Sequence, residues 1–265
     1  VILGVLDDIY RLNAWVKLVV QIIAAVVPVS QGVVINYIWL GSAIEFGVFR
    51  YPITILWIVG LTNAINLIDG LDGLACGVSV ICSISILSVA IIMGDYVSAL
   101  ITSILIGACL GFMPYNRNPA RIFMGDTGAL FLGYTLAIIS VQGLFKTHAV
   151  LSFIMPISIF ALPLFDTLFA IVRRLLKGQS PFHPDRGHLH HKLVDMGFTQ
   201  KETVHILYAI SGIFGLVAIT FTDAIFSGAK YVKTLIVVFV AVAVFILNFI
   251  IMKNPDSREK SGLFT

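Results

Sequence analysis

The chain has 265 residues, of which 58% are hydrophobic and 12% charged, with a formal net charge of +3. A soluble domain carries roughly a quarter charged residues, so the composition excludes a disordered chain, a nucleic-acid-binding module and an ordinary water-soluble enzyme. It leaves a polytopic membrane protein.

Residues 1–6 read as the end of a further helix, so one or more spans are expected to precede them. A bilayer core of about 30 Å asks for roughly 20 apolar residues per helix. Eight segments answer: 14–29, 52–68, 74–92, 97–113, 128–145, 149–172, 203–222 and 231–252. The first is short and carries Lys17, which can snorkel to the near interface. After it, 33–40 and 43–49 flank Gly41-Ser42 and predict a short hairpin. Gly94-Asp95-Tyr96 predicts a tight turn between the third and fourth spans, and Pro156 and Pro163 predict a kink in the sixth. Cys76, Cys82 and Cys109 make no even disulfide framework and read as small packing residues. The expected fold is all-α: a polytopic transmembrane helix bundle of about eight complete spans plus an N-terminal stump, with 1–265 forming one integral-membrane domain.

With flanking residues such as Lys17 included, thirteen of the 17 Lys and Arg fall on the side facing 7–13, 69–73, 114–127, 173–202 and the tail after 252. The positive-inside rule makes that side, and with it the C-terminus, cytoplasmic in the plasma membrane. An even number of spans returns the chain to the side it entered from, which agrees.

The acids are distributed unevenly. Asp7 and Asp8 end the N-terminal stump, Asp69 and Asp72 lie in the loop after the second span, and Asp126 lies in Phe123-Met124-Gly125-Asp126-Thr127-Gly128. All five sit at expected helix ends on one face. Gathered carboxylates repel one another, and such a group relaxes by taking up protons or a cation. Aspartate and asparagine oxygens suit Mg²⁺ or Mn²⁺, and magnesium commonly shares its shell with a substrate phosphate. The plainer alternative is that Asp72 and Asp126 cap the helices that follow them.

Four of the six histidines fall within nine residues, at 183, 188, 190 and 191. His188, His190 and His191 have a spacing open to zinc, but no HExxH pattern or nearby cysteine supports it. With Arg186 and Lys192 close by, a donor surface for phosphate oxygens is the better reading, and a solvated loop the plainer one. His148 and His205 read as structural. Asp166, inside the sixth expected span, reads equally as a helix-packing contact and as the wall of a site.

These motifs, taken in order, resemble one family. Gly4-x-x-Asp7-Asp8, then Asn63-x-x-Asn66-x-x-Asp69-Gly70-x-Asp72-Gly73-Leu74, then Phe123-Met124-Gly125-Asp126-Thr127-Gly128, then His188-Leu189-His190-His191 are similar to those of the polyprenyl-phosphate N-acetylhexosamine-1-phosphate transferases, glycosyltransferase family 4. The histidine motif is closest to the WecA/TagO-like branch, which uses UDP-GlcNAc. The MraY-like branch, which uses UDP-MurNAc-pentapeptide, is the alternative.

The resemblance implies transfer of GlcNAc-1-phosphate from UDP-GlcNAc to undecaprenyl phosphate, for cell-wall or surface polysaccharides such as teichoic acid. It implies Mg²⁺ held by Asp126 with Asn66 beside it. It implies that Asp7 and Asp8 orient or deprotonate the lipid phosphate or help to hold the metal, and that Asn66 and Asp69 meet the nucleotide sugar, with Asp69 among the catalytic carboxylates. Gly70, Leu71 and Asp72 would form a uracil pocket, Phe123 would stack on the base and Asn116 would hydrogen-bond near it. His188, His190 and His191 would face the diphosphate or sugar. Dimers occur in the family. A family lysine-and-glycine segment before residue 1 is not in this sequence, and Ala129 stands where serine is common. Two other classes compete: a transporter, whose acids would line a mid-membrane path, and an intramembrane zinc hydrolase built on the histidines.

Overall fold

The computed structural model describes residues 1–39, 43–144, 151–180 and 187–226, and these are almost entirely helical. Helix α1 (Ile2–Tyr10) is followed by α2 (Ala14–Ser30), a two-stranded hairpin, α3 (Arg50–Leu67), α4 (Leu74–Met93), α5 (Tyr96–Asn116), α6 (Gly125–Gly143), α7 (Leu151–Ile159), α8 (Ala161–Leu176), α9 (Leu189–Asp195) and α10 (Gln200–Phe226).

Four helical segments among the described residues are long and apolar enough to cross a membrane: Gly47–Leu67, Leu74–Met93, Tyr96–Asn116 and Gln200–Ala224. They occupy four of the expected spans. Helices α2 and α6 fill the first and fifth expected spans but are shorter, with 17 and 19 residues. The eighth, 231–252, lies outside the described residues, as does His148.

Helix α4 is the centre of the bundle. Thirteen of its residues are buried, from Leu74 to Ala90, and α5, α10 and α6 pack around it. Helices α2 and α5 instead leave Val16, Val19, Ile23, Leu100 and Ile104 exposed. Among the described residues nothing covers these faces, and an apolar face on such a helix is suited to lipid. Polar side chains tie the helices across the apolar interior, where an unmade hydrogen bond is costly. Gln21 and Asn63 exchange amide hydrogen bonds of 3.2 and 2.6 Å, Trp57 donates to Ser140 Oγ at 2.9 Å, and the Tyr134 hydroxyl donates to the Ala24 carbonyl at 2.8 Å.

The sixth expected span is two helices, broken at Phe160. Pro163 has no N–H to give the Ile159 carbonyl, so the α-helical ladder cannot run through. The Cys82 thiol, 3.2 Å away, donates to that carbonyl instead. Cys82 therefore does more than fill space. Cys76 makes a similar contact, 3.5 Å from the Cys109 carbonyl.

The hairpin forms with shorter arms than expected. Tyr37–Trp39 pairs antiparallel with Ala43–Glu45, Tyr37 opposite Glu45. Residues 33–35 leave the pairing because Ile35 is buried and its N–H goes to Thr54 Oγ1 on α3, at 2.9 Å. On the other arm, Gly47–Phe49 winds into a 3-10 turn that leads into α3.

Candidate active site

Helix α1 lies against the N-terminus of α6, and Gly4 makes the approach close. A Cβ at Gly4 would overlap the backbone of Asp126 and Thr127. This contact delivers two carboxylates. Asp8 accepts from the Asp126 N–H at 2.8 Å, the Thr127 N–H at 3.1 Å and the Thr127 hydroxyl at 2.6 Å. Helix α6 has no side-chain cap of its own, since its N-cap position is Met124. Asp8 supplies the cap from another helix, placing an anion at the positive end of the α6 dipole.

Asp126 is thereby freed from capping. Its Oδ1 accepts from Asn66 Nδ2 at 2.9 Å, and its Oδ2 lies 3.3 Å from Lys17 Nζ. The same ammonium pairs with Asp7, whose other oxygen takes the Leu12 N–H at 2.8 Å. Helices α1, α2, α3 and α6 thus place Asp7, Lys17, Asn66 and Asp126 in one cluster. Lys17 was legible in the sequence only as a snorkelling lysine, yet it is the cation between two of the carboxylates.

Asp69 follows α3 in the same acidic field. Burial, and then the charges of Asp126 and Asp8, push its carboxyl up to about 6. A folded-state value raised above the unfolded one means that stability is present at low pH and lost as pH rises through the folded value. Asp69→Asn removes that loss. It is therefore expected to raise the thermal midpoint by a few degrees at pH 8, with the gain fading between about pH 6 and pH 4. Melting curves of both proteins across pH 4–8 test this, and a gain independent of pH would contradict it.

The implied uracil pocket is partly assembled. Asp72 does not cap α4, whose N-cap is Gly73; its Oδ2 accepts from Asn118 Nδ2 at 3.0 Å and from the Ala120 N–H at 3.1 Å. It anchors the segment that carries the other pocket residues. Asn116 is buried and donates to the Ile122 carbonyl at 3.0 Å, leaving its own Oδ1 without a hydrogen-bond partner among the described residues. Phe123 is 73% exposed, as a ring awaiting a stacking partner would be.

The histidine motif was read as part of a loop, but from Leu189 it forms α9. His188 and His190 are 5% and 3% exposed, so two of the three histidines expected to face substrate are turned into the protein. Asp166 explains this. Its Oδ2 lies 2.8 Å from His188 Nδ1, and its Oδ1 accepts the Leu189 N–H at 2.8 Å. The intramembrane acid is thus the anchor of the histidine motif, which the sequence left open. The His190 ring stacks on His188 with centroids 5.8 Å apart and lies over Gly70, where a Cβ would sit 2.5 Å from His190 Nε2. Burial, and then His191, pull His190 down to about 4, so it is neutral at physiological pH. The acidic loop and the histidine motif therefore touch through Gly70 and His190. Asp166→Ala is expected to cost about 2 kcal/mol, a fall of about 4 °C or more in the thermal midpoint. Asp166→Asn keeps the acceptor for Leu189 and should fall less. Equal midpoints for Asp166→Ala and the parent would refute the anchor.

The donor set fits a hard divalent cation better than zinc. Among the described residues no three His, Cys, Asp or Glu side chains converge at metal-ligand spacing, and the His188 and His190 rings stack on each other. Asp126 and Asn66 offer adjacent oxygens, and magnesium commonly takes one or two protein carboxylates and completes its shell with water and phosphate. Lys17 already occupies the cationic position beside Asp126 and Asp7. As placed, Asn66 points its amide nitrogen at Asp126; turning the amide over presents its oxygen instead.

A helical membrane protein with carboxylates, an asparagine and a lysine gathered at the ends of four helices, beside a buried histidine motif, defines a class of membrane-embedded enzyme suited to anionic substrates. The comparisons make this specific. Residues 1–144 match glycosyl transferase family 4. The chain is 42% identical over 245 residues to the probable undecaprenyl-phosphate N-acetylglucosaminyl 1-phosphate transferase of Bacillus subtilis (strain 168), covering 91% of this chain and 68% of that protein. It is 34% identical to the decaprenyl-phosphate N-acetylglucosaminephosphotransferase of Mycolicibacterium smegmatis, over 97% of this chain and 69% of that one. It is 32% identical to the undecaprenyl-phosphate alpha-N-acetylglucosaminyl 1-phosphate transferase of Escherichia coli (strain K12), over 76% of this chain and 57% of that one. The chain belongs to glycosyl transferase family 4, a multi-pass membrane family of phosphosugar transferases.

Proposed function

We propose that this chain transfers N-acetylglucosamine 1-phosphate from UDP-N-acetylglucosamine to undecaprenyl phosphate at the cytoplasmic face of the plasma membrane. The observation that carries the reading is the meeting of Asp7, Asp8, Asn66 and Asp126 around Lys17 at one end of the bundle, in a chain whose relatives are named for this transfer. The full fold is one domain of about eight spans, with the site and the C-terminus cytoplasmic by the Lys and Arg distribution.

In the reaction, an oxygen of the lipid phosphate forms a bond to the β-phosphorus of the nucleotide sugar. The bond from that phosphorus to the bridging oxygen breaks, and UMP leaves with the electron pair. Both reactants are anions, so the site must neutralise charge and fix geometry. Lys17 contributes a positive charge where the acids gather. Asp8 fixes α1 on the N-terminus of α6 and so sets the position of Asp7. The lipid phosphate is largely dianionic at neutral pH, with a second pKa near 6, so Asp7 is needed more for orientation than as a strong base. Phe123 is exposed for stacking on the uracil, and buried Asn116 shapes the segment that carries it by donating to the Ile122 carbonyl. Mg²⁺ held by Asp126 and Asn66 would supply charge neutralisation to the diphosphate and the departing UMP.

The transporter reading loses support, because Asp166, the acid within the sixth expected span, is committed to His188 and Leu189. The test is UMP release by purified protein in detergent, with undecaprenyl phosphate, Mg²⁺ and either UDP-GlcNAc or UDP-MurNAc-pentapeptide. Release with UDP-GlcNAc alone is expected. Release only with the pentapeptide substrate would move the chain to the MraY-like branch, and release with neither would refute the proposal.

A further inference from the structure

A second polar cleft, of about 840 Å³, opens between the end of α5 and the start of α10. Arg117 and Arg121 line it from the segment leading to α6, and Lys201 and His205 from the first turns of α10. None of Asp7, Asp8, Lys17, Asn66 or Asp126 lines it, and neither do Gly70, Leu71, Asn116 or Phe123; of the residues implied for the substrate, Asp72 alone borders it.

Among the described residues this cleft carries an excess of positive charge. Asp72 is the one acid among its described lining residues, against Arg117, Arg121 and Lys201, and its Oδ2 is held by Asn118 and Ala120. Glu202, next to Lys201, accepts from the Thr199 N–H and hydroxyl at 2.7 and 2.9 Å and so is turned to the helix start. Among the described residues, Arg117, Arg121 and Lys201 make no ion pair. Lys201 also stands in the first turn of α10, at the positive end of a helix dipole, where cations are disfavoured. Several cations converge here against the local field, and an anion bound among them would relieve the repulsion.

Depth and shape narrow the class of anion. Helices α5 and α10 both include membrane-length apolar segments, so their adjoining ends lie at headgroup level. Tyr115 and Tyr208 line the same cleft, and aromatic side chains of this kind are enriched at that depth. Two guanidinium groups suit paired phosphate oxygens, with the lysine as a point charge.

We propose that this cleft is a second binding site, distinct from the catalytic one, for the oxyanion of a phosphate ester. Lipid headgroup and free phosphate share this chemistry, and the test separates them.

Purified protein in zwitterionic detergent is titrated with phosphatidylglycerol, with phosphatidylcholine, or with sodium phosphate against sodium chloride at matched ionic strength, and the thermal midpoint is followed. Saturable stabilisation by phosphatidylglycerol and not phosphatidylcholine is expected for a lipid site. Stabilisation by inorganic phosphate as well would make the site open to free phosphate esters. An interfacial Lys or Arg is worth about fivefold in anionic-lipid association. Arg121→Gln should therefore raise the half-saturating concentration about fivefold, and Arg117→Gln/Arg121→Gln/Lys201→Gln about 100-fold. Arg117→Lys/Arg121→Lys keeps the charge and should stay within about fivefold of the parent. No saturable effect of either phosphate, or the same half-saturation in the parent and the Gln variants, would overturn the proposal. Because the readout is ligand-dependent stability without nucleotide sugar, it stands or falls independently of UMP release.

Discussion

Asp126→Asn is expected to lower turnover by about a thousandfold or more while the protein still folds. The carboxylate is the meeting point of the cluster, with Asn66 on one oxygen and Lys17 on the other. Asparagine has the same shape and can keep one acceptor oxygen, so the local fold should survive. On the proposed reading, what is lost is a negative charge beside the reacting diphosphate, and with it the principal anchor for a divalent cation. Magnesium-dependent UMP release and the thermal midpoint, measured on the same preparation, separate chemistry from folding. A folded Asp126→Asn enzyme with more than about a tenth of parental turnover would show that Asp126 is a structural partner of Lys17 and Asn66 and not the catalytic carboxylate.

The second large effect should come from a residue with no side chain. Gly4→Val is expected to cost about a hundredfold in turnover, because displacing a catalytic group by an ångström is enough for a loss of that size. The valine would overlap the Thr127 backbone and push α1 off the N-terminus of α6. Asp8 would then lose its three donors on Asp126 and Thr127, and Asp7 its place beside Lys17. Overpacking of this kind typically costs about 1–3 kcal/mol, so the thermal midpoint should fall by only a few degrees. Ile2→Ala, on the exposed face of the same helix, is the matched control and should stay near parental turnover. Equal activity in Gly4→Val and Ile2→Ala would mean that the docking of α1 does not position the site.

The parts of the molecule that were legible in the sequence share one property: they follow from local composition. The membrane-length helices at α3, α4, α5 and α10 are each a continuous apolar run, and the turn at Gly94 lies where its glycine allows. The site acids were recognisable because charge at the end of an apolar run is costly and needs a reason. The break at Phe160 was only half legible. Two prolines announced a kink, but the thiol of Cys82 that satisfies the freed Ile159 carbonyl comes from 77 residues away.

What the sequence hid depends on pairings between distant segments. Asp126 looked like an N-cap candidate, and only the arrival of Asp8 from 118 residues upstream shows that the cap is supplied by α1. Lys17 had the signature of a snorkelling lysine, since nothing nearby in sequence says that its ammonium ends between Asp7 and Asp126. Asp166 was ambiguous for the same reason: its partners lie 22 and 23 residues downstream, beyond the end of its helix. The histidine motif was expected to face the substrate, but the burial of His188 and His190 could not be read from a segment rich in polar residues.

The central claim is that sugar and phosphate move together onto the lipid. The most direct measurement gives the purified protein UDP-GlcNAc labelled in the β-phosphate and, separately, in the sugar, with undecaprenyl phosphate and Mg²⁺, and follows both labels into the lipid extract. Equal transfer of the two labels, with UMP left in the aqueous phase, is the expected result. Sugar reaching the lipid without the β-phosphate, with UDP as the product, would contradict the assignment.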